Sequence, residues 1–435
     1  MTFEQMGQVC QSFSYWLNGQ EKEEESRAIH VGILGRNSIN YLLIYISTVF
    51  SGNVTIPLDP NLYISGLAYC VNHGDVDIIF YDSEYQSQIN DLKAKCPKVK
   101  KYILIDQSHS HDPEIACLDH ILEENKSKTM INTIEPNDDA LIIFTSGTTG
   151  NKKGVVLTHD NLIDKTFSTI DEMYDKHEIY LIVSPFHHVA ATHDFLIAIR
   201  FGYLLTFNSN IADLLDNLTL YQPTALRIVP LIVKNLIKQF YIEKNNHPEM
   251  PNHVLKTKIF GKNLSKIISG GSYLPPEVIS GYHQIGIKVG QLYGSTETAG
   301  KCTVVDFNLE KRESVGIIAP NTQVRIQDGE IQVKSRSVMK GYYKEPEKTE
   351  ESFTSDGNGE NVAPEVIENL FCDEPLIKEI MVHGDDDNIC AIVYPNFDYA
   401  ESNGIAKKEL KSKIWSIIEN RNKELASYEK IVNLP

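Results

Sequence analysis

Apolar positions change period repeatedly along the chain, and each change predicts a switch between helix and strand. Phe3, Met6, Val9, Phe13, Trp16 and Leu17 recur at helical spacing over Thr2 to Leu17. After the charged stretch Glu21 to Arg27, the run Ile29 to Leu34 reads as a buried strand, punctuated by Gly35-Arg36-Asn37-Ser38. A helix over Ile39 to Ser51, a strand over Val54 to Leu58, a helix over Ile64 to Asn72 and a strand over Val76 to Tyr81 then complete a βαβαβ order. That order predicts an α/β body built on a mostly parallel, doubly wound sheet.

Further buried strands are expected at Tyr102–Asp106, Ala140–Phe144, Ile179–Ser184, Leu204–Phe207, Ala225–Pro230, Lys266–Ser269 and Lys288–Leu292, with a helix over Leu231 to Phe240. From Thr322 the pattern changes. Gln323–Ile326 and Glu330–Val333 flank Gln327-Asp328-Gly329, and an Asp-Gly turn predicts a hairpin. Beyond Gly357 a helix over Pro364 to Phe371, strands over Ile377–His383 and Ile389–Tyr394 and a helix over Lys407–Asn422 make a small α+β unit. The predicted division is therefore residues 1–357, with a β-rich subdomain over about 300–357, followed by an apparently incomplete unit over 358–435.

Composition narrows the class. The 435 residues are 42% hydrophobic and 23% charged, ordinary for a globular protein and too many for one core, since single cores stop growing at about 250–300 residues. The formal charge of −17, without a basic run longer than two, argues against nucleic acid as a partner. Bound phosphates remain possible, because backbone N–H groups and a single lysine hold them locally. Cys10, Cys70, Cys96, Cys117, Cys302, Cys372 and Cys390 are scattered without metal-ligand spacing, which predicts reduced thiols in a cytoplasm. Met1 to Tyr15 lacks the character of a signal peptide, and the most apolar run, Tyr41 to Phe50, is shorter than the roughly 20 residues of a membrane span.

The chemistry concentrates in one loop. Behind an apolar strand stands Thr145-Ser146-Gly147-Thr148-Thr149-Gly150-Asn151-Lys152-Lys153-Gly154. Its hydroxyls and close N–H groups suit phosphate oxygens, its glycines permit the approach, and Lys153 supplies positive charge. A Walker A loop is excluded because the Lys-Ser/Thr ending is missing.

The loop resembles the signature of the adenylate-forming superfamily, which includes acyl-CoA synthetases, fatty acyl-AMP ligases and peptide-synthetase adenylation domains. That signature reads Thr-Ser-Gly-Ser/Thr-Thr-Gly-x-Pro-Lys-Gly, and Lys152 stands here in place of proline, a change expected to act on loop stiffness more than on charge. The family's second motif, Tyr-Gly-x-Thr-Glu, is met by Tyr293-Gly294-Ser295-Thr296-Glu297. The resemblance implies an ATP site in which Thr145, Ser146, Gly147, Thr148, Thr149, Gly150 and Lys153 face phosphates. Tyr293, Gly294 and Ser295 then border the adenine, Thr296 meets a phosphate, and Glu297 with Thr145 holds Mg²⁺. Ser269-Gly270-Gly271-Ser272-Tyr273 matches the family's adenine-pocket strand end, which assigns Gly271, Ser272 and Tyr273 to the nucleotide. In Ser184-Pro185-Phe186-His187-His188 the resemblance assigns His188 to the carboxylate of the acid, with His187 as the second candidate. Asp194 stands out of register with the aspartate that binds an α-ammonium group in peptide-synthetase domains, so an acid without an amino group is expected.

Lys153, Thr296, Glu297 and His188 are thus the implied catalytic set, with ATP, Mg²⁺ and CoA as the implied cofactors and co-substrates. The implied reaction is activation of a carboxylic acid, by resemblance a fatty acid, to acyl-AMP, then transfer to the thiol of CoA. A carrier-protein thiol, an aryl acid, and a non-catalytic ATP- or acyl-AMP-binding protein are the alternatives. Two departures stand out: the family's Trp-Phe-x-Thr-Gly-Asp segment is missing after Asp356-Gly357, and no family lysine appears before Pro435. Both are expected to be segments of a longer natural chain.

Overall fold

The computed structural model describes residues 1–20, 27–106, 116–129, 133–145, 152–170, 178–307, 314–327, 330–354, 359–360, 371, 374–385, 388–423 and 431–433. Two sheets dominate. The larger contains β1 (His30–Leu34), β2 (Val54–Pro57), β3 (Ile78–Tyr81), β4 (Lys101–Leu104), β5 (Ala116–Cys117), β6 (Asp139–Thr145) and β7 (Lys153–Thr158). The second contains β8 (Ile179–Ile182), β9 (Leu204–Phe207), β10 (Ala225–Arg227), β11 (Lys266–Ser269) and β12 (Lys288–Gln291). Every pairing of the second sheet is parallel. In the first sheet β1, β2 and β3 are short runs buried at every position, as strands of a covered parallel sheet are. The expected α/β class and mostly parallel sheet are therefore present.

A helical layer separates the sheets. Helix Ile39–Phe50 starts on a Ser38 cap and buries residues on all sides, from Tyr41 to Val49. A helix apolar all round belongs inside, and this one meets helix Val189–Phe201 of the second sheet. Tyr45 packs edge-on to Phe195 at 5.0 Å, and its hydroxyl shares a 2.8 Å hydrogen bond with Thr192 Oγ1. One continuous core joins Ile33 and Ile143 of the first sheet to Tyr180 and Ile182 of the second. Buried Ser47 and Thr48 satisfy their hydroxyls on the Leu43 and Ile44 carbonyls one turn back. Cys10, Cys70, Cys96, Cys117 and Cys302 are buried free thiols.

The small β elements follow: β13 (Thr303–Val304) pairs with β14 (Ile317–Ile318), and β15 (Gln323–Gln327) forms a hairpin with β16 (Glu330–Lys334). The predicted Asp328-Gly329 turn lies outside the described residues. β17 (Gly341–Tyr342) returns to the large sheet, and β18 (Gly359–Glu360) pairs with β16. Last come β19 (Ile377–Asp385), β20 (Asn388–Pro395) and β21 (Ile431–Asn433), packed with helix Lys407–Arg421 through Leu410, Ile414 and Ile418. The predicted helix over 364–371 falls outside the described residues apart from Phe371.

Two expectations need correction. Ala225–Pro230 is not one strand: β10 ends at Arg227, and Pro230 starts helix Pro230–Asn246, a position where its missing N–H costs nothing. The sequence reading also missed β7. It lies antiparallel to β6 and to β17, so the sheet runs β17-β7-β6-β2-β1-β3-β4-β5 and is antiparallel at that end.

The segment leading into β17 is laced to the body by Asn161. This residue follows the Thr158 cap of helix His159–Phe167 and completes a capping box. Its amide also donates to the carbonyls of Arg336 and Val338 at 2.7 and 2.9 Å. Asn161→Ala removes the box and leaves both carbonyls short of a donor, and should lower unfolding free energy by about 2 kcal/mol. Urea denaturation checks it, and an unchanged midpoint contradicts the assignment.

Candidate functional site

The β6–β7 hairpin sets the geometry. Thr145 and Lys153 stand opposite each other in its register, so both ends of the phosphate-type loop are fixed by the ladder. Ser146, Gly147, Thr148, Thr149 and Gly150 lie outside the described residues. Gly154 follows because a Cβ there would meet Ile142 Cγ2 at 3.0 Å and the Phe144 ring at 3.3 Å. On the other side of β7, Val155 faces Tyr342 in register. The Lys153 ammonium lies 4.8 Å from the centre of the Tyr342 ring, a cation–π contact, and no described carboxylate pairs with it.

The same tyrosine reaches the second motif. Its hydroxyl donates to Glu297 Oε1 at 2.9 Å, while the Met339 N–H donates to the Glu297 carbonyl at 2.7 Å. Burial and the Glu297 charge raise the Tyr342 phenol pKa far above its ordinary value, so it remains a donor. Tyr293 leaves β12 with its N–H on Thr303 Oγ1 at 2.7 Å and its carbonyl taking the Cys302 and Thr303 N–H groups. Gly294 is required there: a Cβ would stand 2.5 Å from the backbone of Gly300 and Lys301. Thr296 and Glu297 then sit in the 3₁₀ turn Thr296–Thr298, which Ser295 precedes. Among the described residues, the Thr145 and Thr296 hydroxyls and Glu297 Oε2 have no hydrogen-bond partner, so phosphate oxygens and a hard cation could claim them.

Gly271, Ser272 and Tyr273 leave β11, the parallel neighbour of β12, whose Ser269 lies opposite Gln291. The Leu274 N–H on Gln291 Oε1 at 2.9 Å ties the two strand ends together. Gly271 takes φ +87°, and Tyr273 is 40% exposed. Adjacent carboxyl ends of parallel strands are where open α/β sheets bind ligands, and Tyr293 shares that rim.

The histidine pair lies beside Asp59. The His187 and His188 rings are 4.4 Å apart, and His187 Nε2 is 3.6 Å from Asp59 Oδ1. Burial lowers both imidazole pKa values; for His187 the His188 charge adds to this, and Lys152 pushes both down against the pull of Asp59. Lys152 therefore carries an electrostatic consequence beyond loop stiffness. Asp194 is committed elsewhere: it is 1% exposed, pairs with Arg227 Nε at 2.6 Å and accepts from the Tyr180 hydroxyl at 3.1 Å.

Sequence reasoning missed Tyr342. The local sequence offers no more than a Gly-Tyr-Tyr motif, and the role arises from the pairing with β7.

Nearly the whole chain matches known protein families. A family model described as AMP-binding enzyme matches residues 1–343, and one described as AMP-binding enzyme C-terminal domain matches 355–434. Among curated proteins, the chain is 24% identical over 499 residues to the peroxisomal long chain acyl-CoA synthetase 7 of Arabidopsis thaliana, covering 91% of this chain and 71% of that one. It is 27% identical over 363 residues to the probable 4-coumarate–CoA ligase 1 of Dictyostelium discoideum, covering 75% of this chain and 63% of that one. Among solved structures, the A domain of a carboxylic acid reductase from Segniliparus rugosus, in complex with AMP and a co-purified carboxylic acid, superposes with a TM-score of 0.73 at 18% identity. That match covers all of this chain and 81% of the other.

The histidine environment makes one prediction. With folded-state values below the ordinary 6.5, the unfolded chain takes up protons that the folded chain refuses, so stability falls as pH drops below about 6.5. In His187→Asn, urea midpoints measured between pH 6.5 and 5 should change less steeply than in the parent. Equal slopes would contradict the assignment.

Proposed function

The chain belongs to the AMP-binding enzyme family, and on that premise we propose that it activates a carboxylic acid with ATP and passes the acyl group to the thiol of CoA. A carboxylate oxygen attacks the α-phosphorus of ATP, the bond to the bridging β-phosphate oxygen breaks, and acyl-AMP and pyrophosphate form. The thiol sulfur then attacks the acyl carbon, its proton is released, and AMP leaves with the bonding electron pair. No general base is needed in the first step, since the carboxylate is already ionised; positioning and electrostatics supply the acceleration.

The observation that carries the reading is Tyr342, which holds Lys153 and Glu297 on one ring while the Thr296 hydroxyl and Glu297 Oε2 keep no described partner. In this reading Lys153, Thr296 and the loop Thr145 to Gly150 hold the phosphates. Tyr293, Gly294, Ser295, Gly271, Ser272 and Tyr273 border the adenine, and His188 meets the acid. Glu297 and Thr145 would hold Mg²⁺, which when bound neutralises phosphate charge. Residues 1–357 act as the nucleotide-binding body and 358–435 as a smaller unit that turns against it between steps. CoA is the preferred acceptor because both curated relatives above are named for CoA chemistry. Their names divide between long-chain and aryl acids. Among the described residues no helix is long and apolar enough to cross a membrane; the cytoplasm is the compartment we propose.

Exchange of labelled pyrophosphate into ATP without CoA, measured across fatty, aryl and dicarboxylic acids, tests this directly. Acid-dependent exchange is expected, with Lys153→Ala and Glu297→Ala each lowering its rate about 100-fold. Absence of exchange with every acid, from folded protein, would sink the enzymatic reading.

A further inference from the structure

Behind the Tyr293–Glu297 turn lies a cavity of about 50 Å³, lined by Tyr180, His193, Arg227, Lys266, Leu292 and Lys301 among others. It shares a wall with the nucleotide motif. Leu292 precedes Tyr293, and the Gly300–Lys301 backbone is the surface against which Gly294 packs.

Among the described residues, one ammonium around this cavity stands without an acidic partner. Arg227 is paired with Asp194, and Lys266 Nζ lies 3.3 Å from Glu178 Oε1. Lys165 is fully buried, and its ammonium donates to the Val189 carbonyl at 3.0 Å, with no described carboxylate in salt-bridge range. Lys301 is 2% exposed, and among the described residues its ammonium has no hydrogen-bond partner. Asp164 is the acidic group that acts on Lys301 from outside the cavity, and its oxygens already accept from Ser168 and Ser335. Burial lowers the Lys301 pKa to about 8, with Arg200 opposing the charge further. His193 is driven well below its ordinary range by burial and by Arg227, Lys165 and Lys301.

Interior ammonium groups without partners are costly, and in a chain of net charge −17 the imbalance is local and cationic. An alkyl tail placed there would leave it uncompensated. An anionic oxygen would supply the missing partner, and the volume suits a group the size of a carboxylate, since one water needs about 10–15 Å³ in the same measure. We propose that this cavity receives the far end of the acid substrate and that Lys301 selects an acid carrying a second anionic group, a short dicarboxylate, over an unsubstituted aliphatic acid. This rests on the acid-activating reading and replaces its fatty-acid expectation.

Two readouts test it on the whole chain. In pyrophosphate exchange, succinate and glutarate should show KM values at least tenfold below those of butyrate and pentanoate. Lys301→Met should abolish or reverse that preference by raising the succinate and glutarate KM values at least tenfold while those of butyrate and pentanoate stay equal or fall, and Lys301→Arg should keep it. A wild-type preference for butyrate, pentanoate or hexadecanoate, or an equal loss for both classes in Lys301→Met, overturns the proposal. Titration calorimetry with succinate needs no turnover and stands even if every acid fails to exchange. Binding by the parent and Lys301→Arg, with at least tenfold weaker binding by Lys301→Met of unchanged melting temperature, supports the cavity assignment. Absence of succinate binding to the parent overturns it.

Discussion

The antiparallel pairing of β6, β7 and β17 at one end of an otherwise parallel sheet is the constraint on which the site depends. Parallel strands deliver their residues to one rim of a sheet, and β11 and β12 do this for Gly271 to Tyr273 and for Tyr293. Lys153 could not be held by that arrangement alone. The reversal at β6–β7 brings it back opposite Thr145, and the second reversal at β17 slides Tyr342 beneath its ammonium. Since Tyr342 also donates to Glu297, two motifs far apart in sequence share one side chain as a floor. The backbone bonds from Tyr343 to Gly154 and from Lys340 to Val156 hold the register, and Asn161 holds the approach to it.

Much of this was legible in the sequence because the relevant signals are local. Strands such as Ile78–Tyr81 are apolar throughout since both faces are covered, and helix Phe3–Asn18 keeps a clean helical period with its Thr2 cap. The phosphate-type loop and the Tyr-Gly-x-Thr-Glu turn are contiguous, so residue type and spacing suffice to find them. β7 was missed because its first two residues, Lys153 and Gly154, read as the tail of a loop and left only Val155, Val156 and Leu157 as a strand signal. Tyr342 escaped for a related reason: its role exists only through pairing with a strand that had not been recognised. Pro230 was drawn into a strand because Ile228 and Val229 extend the apolar run, whereas its fixed φ suits a helix start.

The interior cations were the least legible. Lys165 lies on a helix, Arg227 ends a strand and Lys301 follows a turn. Their convergence is a property of the fold, and the net charge of −17 points the other way. A global charge says little about a buried site, where a few groups in a low-dielectric interior decide the local field.

The central claim is that Tyr342 acts on the nucleotide through its hydrogen bond to Glu297, and a double-mutant cycle on MgATP affinity tests it most directly. Dissociation constants are needed for the parent, Tyr342→Phe, Glu297→Gln and the double variant. The account predicts strong non-additivity, with the double variant binding within about twofold of Glu297→Gln and a coupling of about 1 kcal/mol between the two positions. Additive losses would show that the tyrosine and the glutamate act independently and would contradict the account.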